Sequence, residues 1–336
     1  MNYLVCGYLG YDNLGDELMA SAISSSVFSY DKNARLVFFA RKGKKYKEFE
    51  CINRHSPIKI LKSMKNCDVF ILGGGTLISE EASKRSAFYY TAILTLAQIM
   101  KKQSAIWSGG IDRIKSRMLK LILKKQLQNV KISLRDTASL DALWDILPSP
   151  AAKIHSDPVF LLAGCADSPP SNERKQLAVC IKNGAPVDLG VMIGALCRKY
   201  SLTPVFAAAS PSDVLECEKQ SALANGKCVL LSDMESAKEL FESSVLCLSM
   251  RYHAILLAAC FGCVPLSMSR SEKILSLMKE MSFDGLILPS SYSYEKYEKT
   301  LERVITDPQK YQDKCQNEAK KMLRRAKLAE AFLMDN

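Results

Sequence analysis

Histidine is scarce in this chain. There are three, His55, His155 and His253, and no two stand at metal-ligand spacing. A histidine-built metal centre is thereby excluded and no metal is expected. Tryptophan is scarcer still, with two. No basic stretch is interleaved with aromatics in the way single-stranded nucleic-acid binders require, so nucleic acid is not an expected partner. No apolar run reaches the roughly 20 residues of a membrane span. The longest, around Phe88 to Met100 and Ile255 to Met268, fall short of it. No Gly-Lys-Ser/Thr loop and no G-x-G-x-x-G is present, which argues against nucleotide binding by those routes. Repeats and low-complexity tracts are absent too. The opening Met1-Asn2-Tyr3-Leu4-Val5-Cys6-Gly7 lacks the basic n-region of a signal peptide, so a cytoplasmic location is expected.

Cysteine, by contrast, is plentiful. Most of the twelve lie inside apolar runs, as Cys6, Cys180, Cys247 and Cys260 do, which fits reduced, buried thiols. Cys260-Phe261-Gly262-Cys263 has C-x-x-C spacing but ends a helix and has no second pair, so it reads as packing. The 336 residues, 48% hydrophobic and 24% charged, suffice for two domains. A formal net charge of +11 favours acidic partners: phosphorylated small molecules, anionic lipid or nucleic acid.

Apolar runs and helical patterns alternate along the chain. Strands are expected at Tyr3 to Cys6, Arg35 to Ala40, Asp68 to Leu72, Ser104 to Ser108 and Val130 to Leu134. Helices are expected at Asp16 to Val27, Arg85 to Lys102 and Asp112 to Gln128. The stretch Ala163 to Lys175, with Asp167-Ser168-Pro169-Pro170-Ser171-Asn172, reads as an interdomain linker. The alternation resumes at Gln176 and runs to an expected strand at Leu286 to Leu288, with two closing helices. The expected architecture is α/β: two Rossmann-like, doubly wound domains facing a cleft, 1–165 and 175–336, the last helix returning to the first.

Three stretches invite a ligand. Gly7-Tyr8-Leu9-Gly10-Tyr11-Asp12-Asn13-Leu14-Gly15-Asp16-Glu17 joins a strand to a helix. The acids Asp16 and Glu17 suit either the helix dipole or catalysis. Gly73-Gly74-Gly75 follows another strand, where the entropic cost of three glycines calls for a close backbone or ligand approach. Met250-Arg251-Tyr252-His253-Ala254 links the buried strand Ser244 to Ser249 with the buried helix Ala254 to Phe261, which Gly262 and Pro265 stop. Ligands bind at such carboxyl ends in open α/β sheets.

Taken together, these stretches resemble one family. Gly7-Tyr8-x-Gly10-x-x-Asn13-x-Gly15-Asp16-Glu17, Gly73-Gly74-Gly75-x-Leu77, Ser133-x-Arg135-Asp136 and Asp157-Pro158-Val159 come in order. Met250-Arg251-x-His253-Ala254, with Gly262, Pro265 and Lys273, completes a series similar to the polysaccharide pyruvyl transferases (CsaB-like enzymes). The resemblance implies a GT-B-like fold and transfer of pyruvate from phosphoenolpyruvate to a sugar as a ketal. It implies no cofactor, with phosphoenolpyruvate as co-substrate. The acceptor it implies is a lipid-diphosphate-linked N-acetylmannosamine-type precursor of a cell-wall polymer. It places Arg135, His253 and Lys273 on phosphoenolpyruvate. Arg251 offers a further cation, Glu17 or Asp16 could take the acceptor's proton, and Asn13 and Gly73-Gly74-Gly75 join the substrate-binding set. A GT-B glycosyltransferase using a nucleotide sugar is the alternative.

Arg113 to Lys131 holds seven basic residues and no acidic one, with Ile114, Met118, Leu121 and Ile122 at helical spacing. A second such run sets Lys320, Lys321, Arg324, Arg325 and Lys327 opposite Ala326, Ala329 and Phe332. Both are expected to meet an anionic membrane surface, at the inner face of the cell membrane.

Overall fold

The computed structural model describes residues 1–81, 83–164, 174–289 and 293–334. Residues 165–173 of the expected linker lie outside them. The chain divides into two compact units. The first comprises Met1–Tyr11, Asp16–Leu162 and Arg324–Asn336, the second Asp12–Gly15 and Ala163–Leu323.

The first unit holds β1 (Asn2–Leu9), β2 (Arg35–Ala40), β3 (Glu50–Asn53), β4 (Val69–Gly73), β5 (Thr76–Ile78), β6 (Gln103–Ile111), β7 (Lys131–Leu134) and β8 (Ala152–Ile154). They form one sheet in the order β3-β2-β1-β4-β6-β7-β8, with β5 beside β6, and the pairings are parallel. Successive side chains of a strand point to opposite faces. Here both sets are apolar: Leu4 and Cys6 join one buried cluster, while Tyr3 and Val5 join another. A sheet with two greasy faces must be covered on both. Helix Lys84–Ile99 brings Tyr90 and Leu94 to the first cluster. Helix Leu14–Tyr30 brings Ile23 and Val27 to the second, which Met334 completes.

The second unit has β9 (Gln176–Cys180), β10 (Thr203–Ala208), β11 (Lys227–Leu230), β12 (Ser244–Ser249) and β13 (Val264–Ser267). Their order is β11-β10-β9-β12-β13, again parallel. Pro265 sits on edge strand β13, where a missing N–H costs no ladder bond. Strand order reverses between β9 and β12 here, and between β1 and β4 in the first unit. Such reversals open the crevice that ligands use.

Several boundaries differ from the sequence reading. Strand β6 does not stop at Ser108 but continues through Gly109 and Gly110 to Ile111, so the next helix begins only at Arg117. That helix, Arg117–Gln126, turns Leu119 and Leu123 to the core, leaving Met118 and Leu121 58% and 70% exposed. Leu286–Leu288 is no strand: a 3₁₀ turn covers Asp284–Leu286, and Ile287 makes a single bridge to Ser267. In the final helix, Pro308–Met334, Ala326 and Ala329 are buried and the Phe332 ring lies against His155. Its apolar face is spent in the core, which removes the second expected membrane face. Among the described residues no helix is long and apolar enough to cross a membrane.

The described cysteines are free thiols and most are buried. Burial pushes Cys6, Cys197 and Cys217 up to about 12. No group of His, Cys, Asp and Glu among the described residues could hold a metal ion.

Candidate active site

In the second unit, two neighbouring strands end in the same device. The Ser249 hydroxyl at the end of β12 accepts from Arg251 N–H and donates to Arg251 C=O, each at 2.9 Å. At the end of β13, Ser267 does the same with Ser269, at 3.2 and 2.8 Å. These serine turns stop each strand and set the direction of the next helix. Arg251 and His253 follow one turn, and Lys273 follows the other as the exposed second residue of helix Glu272–Glu280.

Helix Tyr252–Cys260 is buried at every residue but His253. A helix apolar on all sides belongs inside a fold, and His253 is the one position of this helix left partly exposed. Gly15 lies directly against its ring. A Cβ at Gly15 would stand 1.8 Å from His253 Nδ1, an impossible approach. Gly15 is fixed in turn, its N–H donating to Asn13 Oδ1 at 3.1 Å, and Leu14 N–H donating to Ala209 C=O at 2.9 Å. Asn13, expected in the substrate-binding set, also shapes the loop that seats His253 through its side-chain carbonyl oxygen.

Arg251 pairs through Nη2 with Asp213, a buried acid just after β10. Its Nε is buried and has no hydrogen-bond partner among the described residues. An unpaired guanidinium donor is expensive to bury and cheap to offer an anion.

In the first unit the glycines divide by role. Gly7 and Gly73 let adjacent backbones touch, since a Cβ at Gly7 would lie 2.5 Å from Gly73 C=O. Gly74 and Gly75 have φ of +94° and +78°, conformations other residues avoid. Asp16 Oδ1 abuts Gly75. Glu17, expected to act as a base, has both carboxylate oxygens engaged: Oε1 accepts from Gly10 N–H at 3.0 Å and Oε2 from the Tyr46 hydroxyl at 2.6 Å. It braces the glycine loop.

Arg135 is almost fully buried. Its guanidinium lies 3.3 Å from Asp136 and 3.7 Å from Asp157, and donates to Thr76 Oγ1 at 2.6 Å. Gly110 makes the space, since a Cβ there would meet Thr76 Oγ1 at 2.6 Å and Arg135 Nη2 at 2.9 Å. Asp157 also accepts from Val159 N–H at 3.0 Å, starting the short helix Val159–Ala163. Nearby, His155 Nδ1 meets the Ser133 hydroxyl at 2.9 Å, and burial, then Lys153 and Arg325, lower the imidazole to about 4.

Two residues escaped the sequence reading. Asp213 carries no local signal, for its role exists only across the sheet from Arg251. Arg54, following β3, is buried and donates to Gly7 C=O at 3.3 Å and to the Tyr90 hydroxyl at 2.9 Å. It also lies over the rings of Tyr8 and Tyr89, and so ties the glycine loop to helix Lys84–Ile99.

A family model described as polysaccharide pyruvyl transferase matches residues 13–272, a span that includes Asn13, Gly15, Arg135 and His253. No curated protein matches the chain by sequence. Solved structures resemble it in fold. A UDP-GlcNAc 2-epimerase from Neisseria meningitidis bound to UDP-GlcNAc aligns with a TM-score of 0.66 at 12% identity, over 100% of both chains. HepE from Anabaena, in complex with UDP and glucose, gives 0.65 at 12% identity, over 99% of this chain and 98% of that one. The glycosyltransferase WaaG, involved in lipopolysaccharide biosynthesis, gives 0.60 at 12% identity, over 98% of each. At these identities the likeness is one of fold, and the fold is GT-B-like.

Proposed function

Since the chain belongs to the polysaccharide pyruvyl transferase family, we propose that it moves pyruvate from phosphoenolpyruvate to a sugar, forming a ketal and releasing phosphate. The observation that carries this reading is His253, the one unburied residue of its helix, seated on Gly15 beside the strand-order reversal of the second sheet. Phosphoenolpyruvate carries two anionic groups. The Arg251 Nε–H and the exposed Lys273 ammonium supply donors for them, the first directional and the second a point charge. The assignment of Arg135 to the same ligand rests on the family resemblance. His253 acts as an acid.

A proton adds to the methylene carbon, and a sugar hydroxyl attacks the adjacent carbon, losing its own proton to Asp16, since both oxygens of Glu17 are engaged by the glycine loop and Tyr46. The carbon–oxygen bond to phosphate breaks, a second hydroxyl of the same sugar forms the other ketal bond, and its proton leaves with the departing phosphate. The acceptor in this reading is a lipid-diphosphate-linked N-acetylmannosamine-type sugar, met in the cytoplasm at the inner face of the membrane.

The test incubates the protein with phosphoenolpyruvate and a panel of lipid-diphosphate sugars. Acceptor-dependent phosphate release with a product heavier by one pyruvyl ketal supports the proposal. Consumption of a nucleotide sugar, with phosphoenolpyruvate untouched, would replace it with the glycosyltransferase reading.

A further inference from the structure

Helices Lys84–Ile99 and Arg117–Gln126 lie side by side in the first unit, and an apolar groove runs between them. It is lined by Phe88, Ala92, Leu96, Ile99, Leu121 and Ile122. Ile99 and Leu121 are 72% and 70% exposed. The core does not need them: the inward face of Arg117–Gln126 is already made by Leu119 and Leu123. Large apolar side chains left side by side in water mark a surface that something covers.

The charge around the groove says what. Neither helix contains an acidic residue. Lys84 and Arg85 stand at one end of the first helix, Lys101 lies two residues beyond Ile99 at the other, and Arg117, Lys120, Lys124 and Lys125 belong to the second helix. From 83 to 131 the lone acid is Asp112, and its carboxylate already accepts from the Ser79 hydroxyl. A second copy set symmetrically on this face would bring two cationic rims together, which repel. A nucleic-acid backbone would meet the cations but leave the apolar groove in water. An anionic bilayer satisfies both, with headgroups for the lysines and the acyl boundary for the apolar groove.

We propose that the groove between these helices is a docking surface for anionic phospholipid, holding the first unit against a membrane. The binding does not depend on the pyruvyl-transfer reading. If that reading holds, the same contact brings the enzyme to lipid-linked sugars.

The test is co-sedimentation with vesicles of pure phosphatidylcholine and with vesicles of equal parts phosphatidylcholine and phosphatidylglycerol. Binding should require phosphatidylglycerol and weaken with salt. Lys124→Gln with Lys125→Gln should weaken it by about fivefold per lysine. Leu121→Gln with Ile99→Gln leaves the charge unchanged and should also weaken it severalfold. All four positions are exposed, so these variants should melt like the parent. The pair Lys320→Gln and Lys321→Gln, on the final helix, should have a smaller effect than Lys124→Gln with Lys125→Gln. Equal binding to both vesicle types would overturn the proposal. So would full binding by the Leu121→Gln/Ile99→Gln variant, or a dimer in sedimentation velocity that this variant dissolves.

Discussion

His253 and Gly15 touch so closely that no side chain can stand at position 15: the nearest ring atom would be 1.8 Å from its Cβ. A residue in the first loop of the chain thereby sets the position of a ring near the start of a buried helix far along the sequence. The contact accounts for one glycine of the loop by sterics alone, and it makes the pair testable as a unit.

Gly15→Ala should therefore displace the imidazole, lower the melting temperature and depress turnover about as much as His253→Ala does. In a His253→Ala background the same change should cost little stability, because the ring that it strikes is gone. Four melting curves and four rates complete this double-mutant cycle. Additive losses would show that the contact does not govern either property.

His253→Ala alone should lower turnover by about 10²–10⁴-fold, the usual worth of a positioned acid. The Michaelis constant for phosphoenolpyruvate should change far less. Lys273→Ala, which removes an exposed charge, should act mainly on that Michaelis constant. Phosphate release in steady state separates the two. Near-normal turnover in His253→Ala would remove the acid from the mechanism.

Arg135 is expected to matter for stability as much as for ligand. Removing it leaves Asp136 and Asp157 buried without their counter-charge, a loss on the order of 3–5 kcal/mol. Arg135→Ala should unfold at much lower denaturant, and Asp157→Asn introduced alongside should recover part of the loss. A variant as stable as the parent would show that the carboxylates have adequate partners elsewhere.

His155 predicts a pH dependence of stability. Unfolded, its imidazole titrates near 6.5, whereas folded it is held at about 4. Between those values the unfolded chain binds a proton that the folded chain refuses. Stability should fall as pH drops through this window, and above it His155 contributes no slope. His155→Gln, which can still meet Ser133, should flatten that part of the curve. An unchanged slope from about pH 7 to about pH 5 would assign it to other groups.

Much of the fold could be read from the residues. The first and second alternations are visible because strands buried on both faces are continuous apolar runs, as at Val69–Gly73 and Ser244–Ser249. Strands β3, β5 and β8 have four, three and three residues, too few to show any period. Arg251 and His253 were legible as a strand-to-helix junction, a local feature. The partners of Arg251, Glu17 and Arg135 were not. Each depends on which strands are neighbours and how loops run: Asp213 looks in sequence like any other turn residue, and the motif that holds Asp157 does not say that it faces Arg135. Glu17 shows the cost: at a helix start beside a glycine loop it reads as a base, and only the path of that loop shows its oxygens engaged.

The buried thiols supply a clock for each sheet. Alkylating reagents attack the thiolate, and a thiol held near 12 is almost wholly protonated at neutral pH. Cys6 lies within β1 of the first sheet; Cys197 and Cys217 lie on helices over the second. Each can react at an ordinary rate only when its surroundings open, so its labelling rate reports the free energy of that opening. Cys228, less buried, sets the fast end of the scale. Mass spectrometry of a timed alkylation would then read the local stability of the two units separately, in the unaltered protein, without a probe having been introduced.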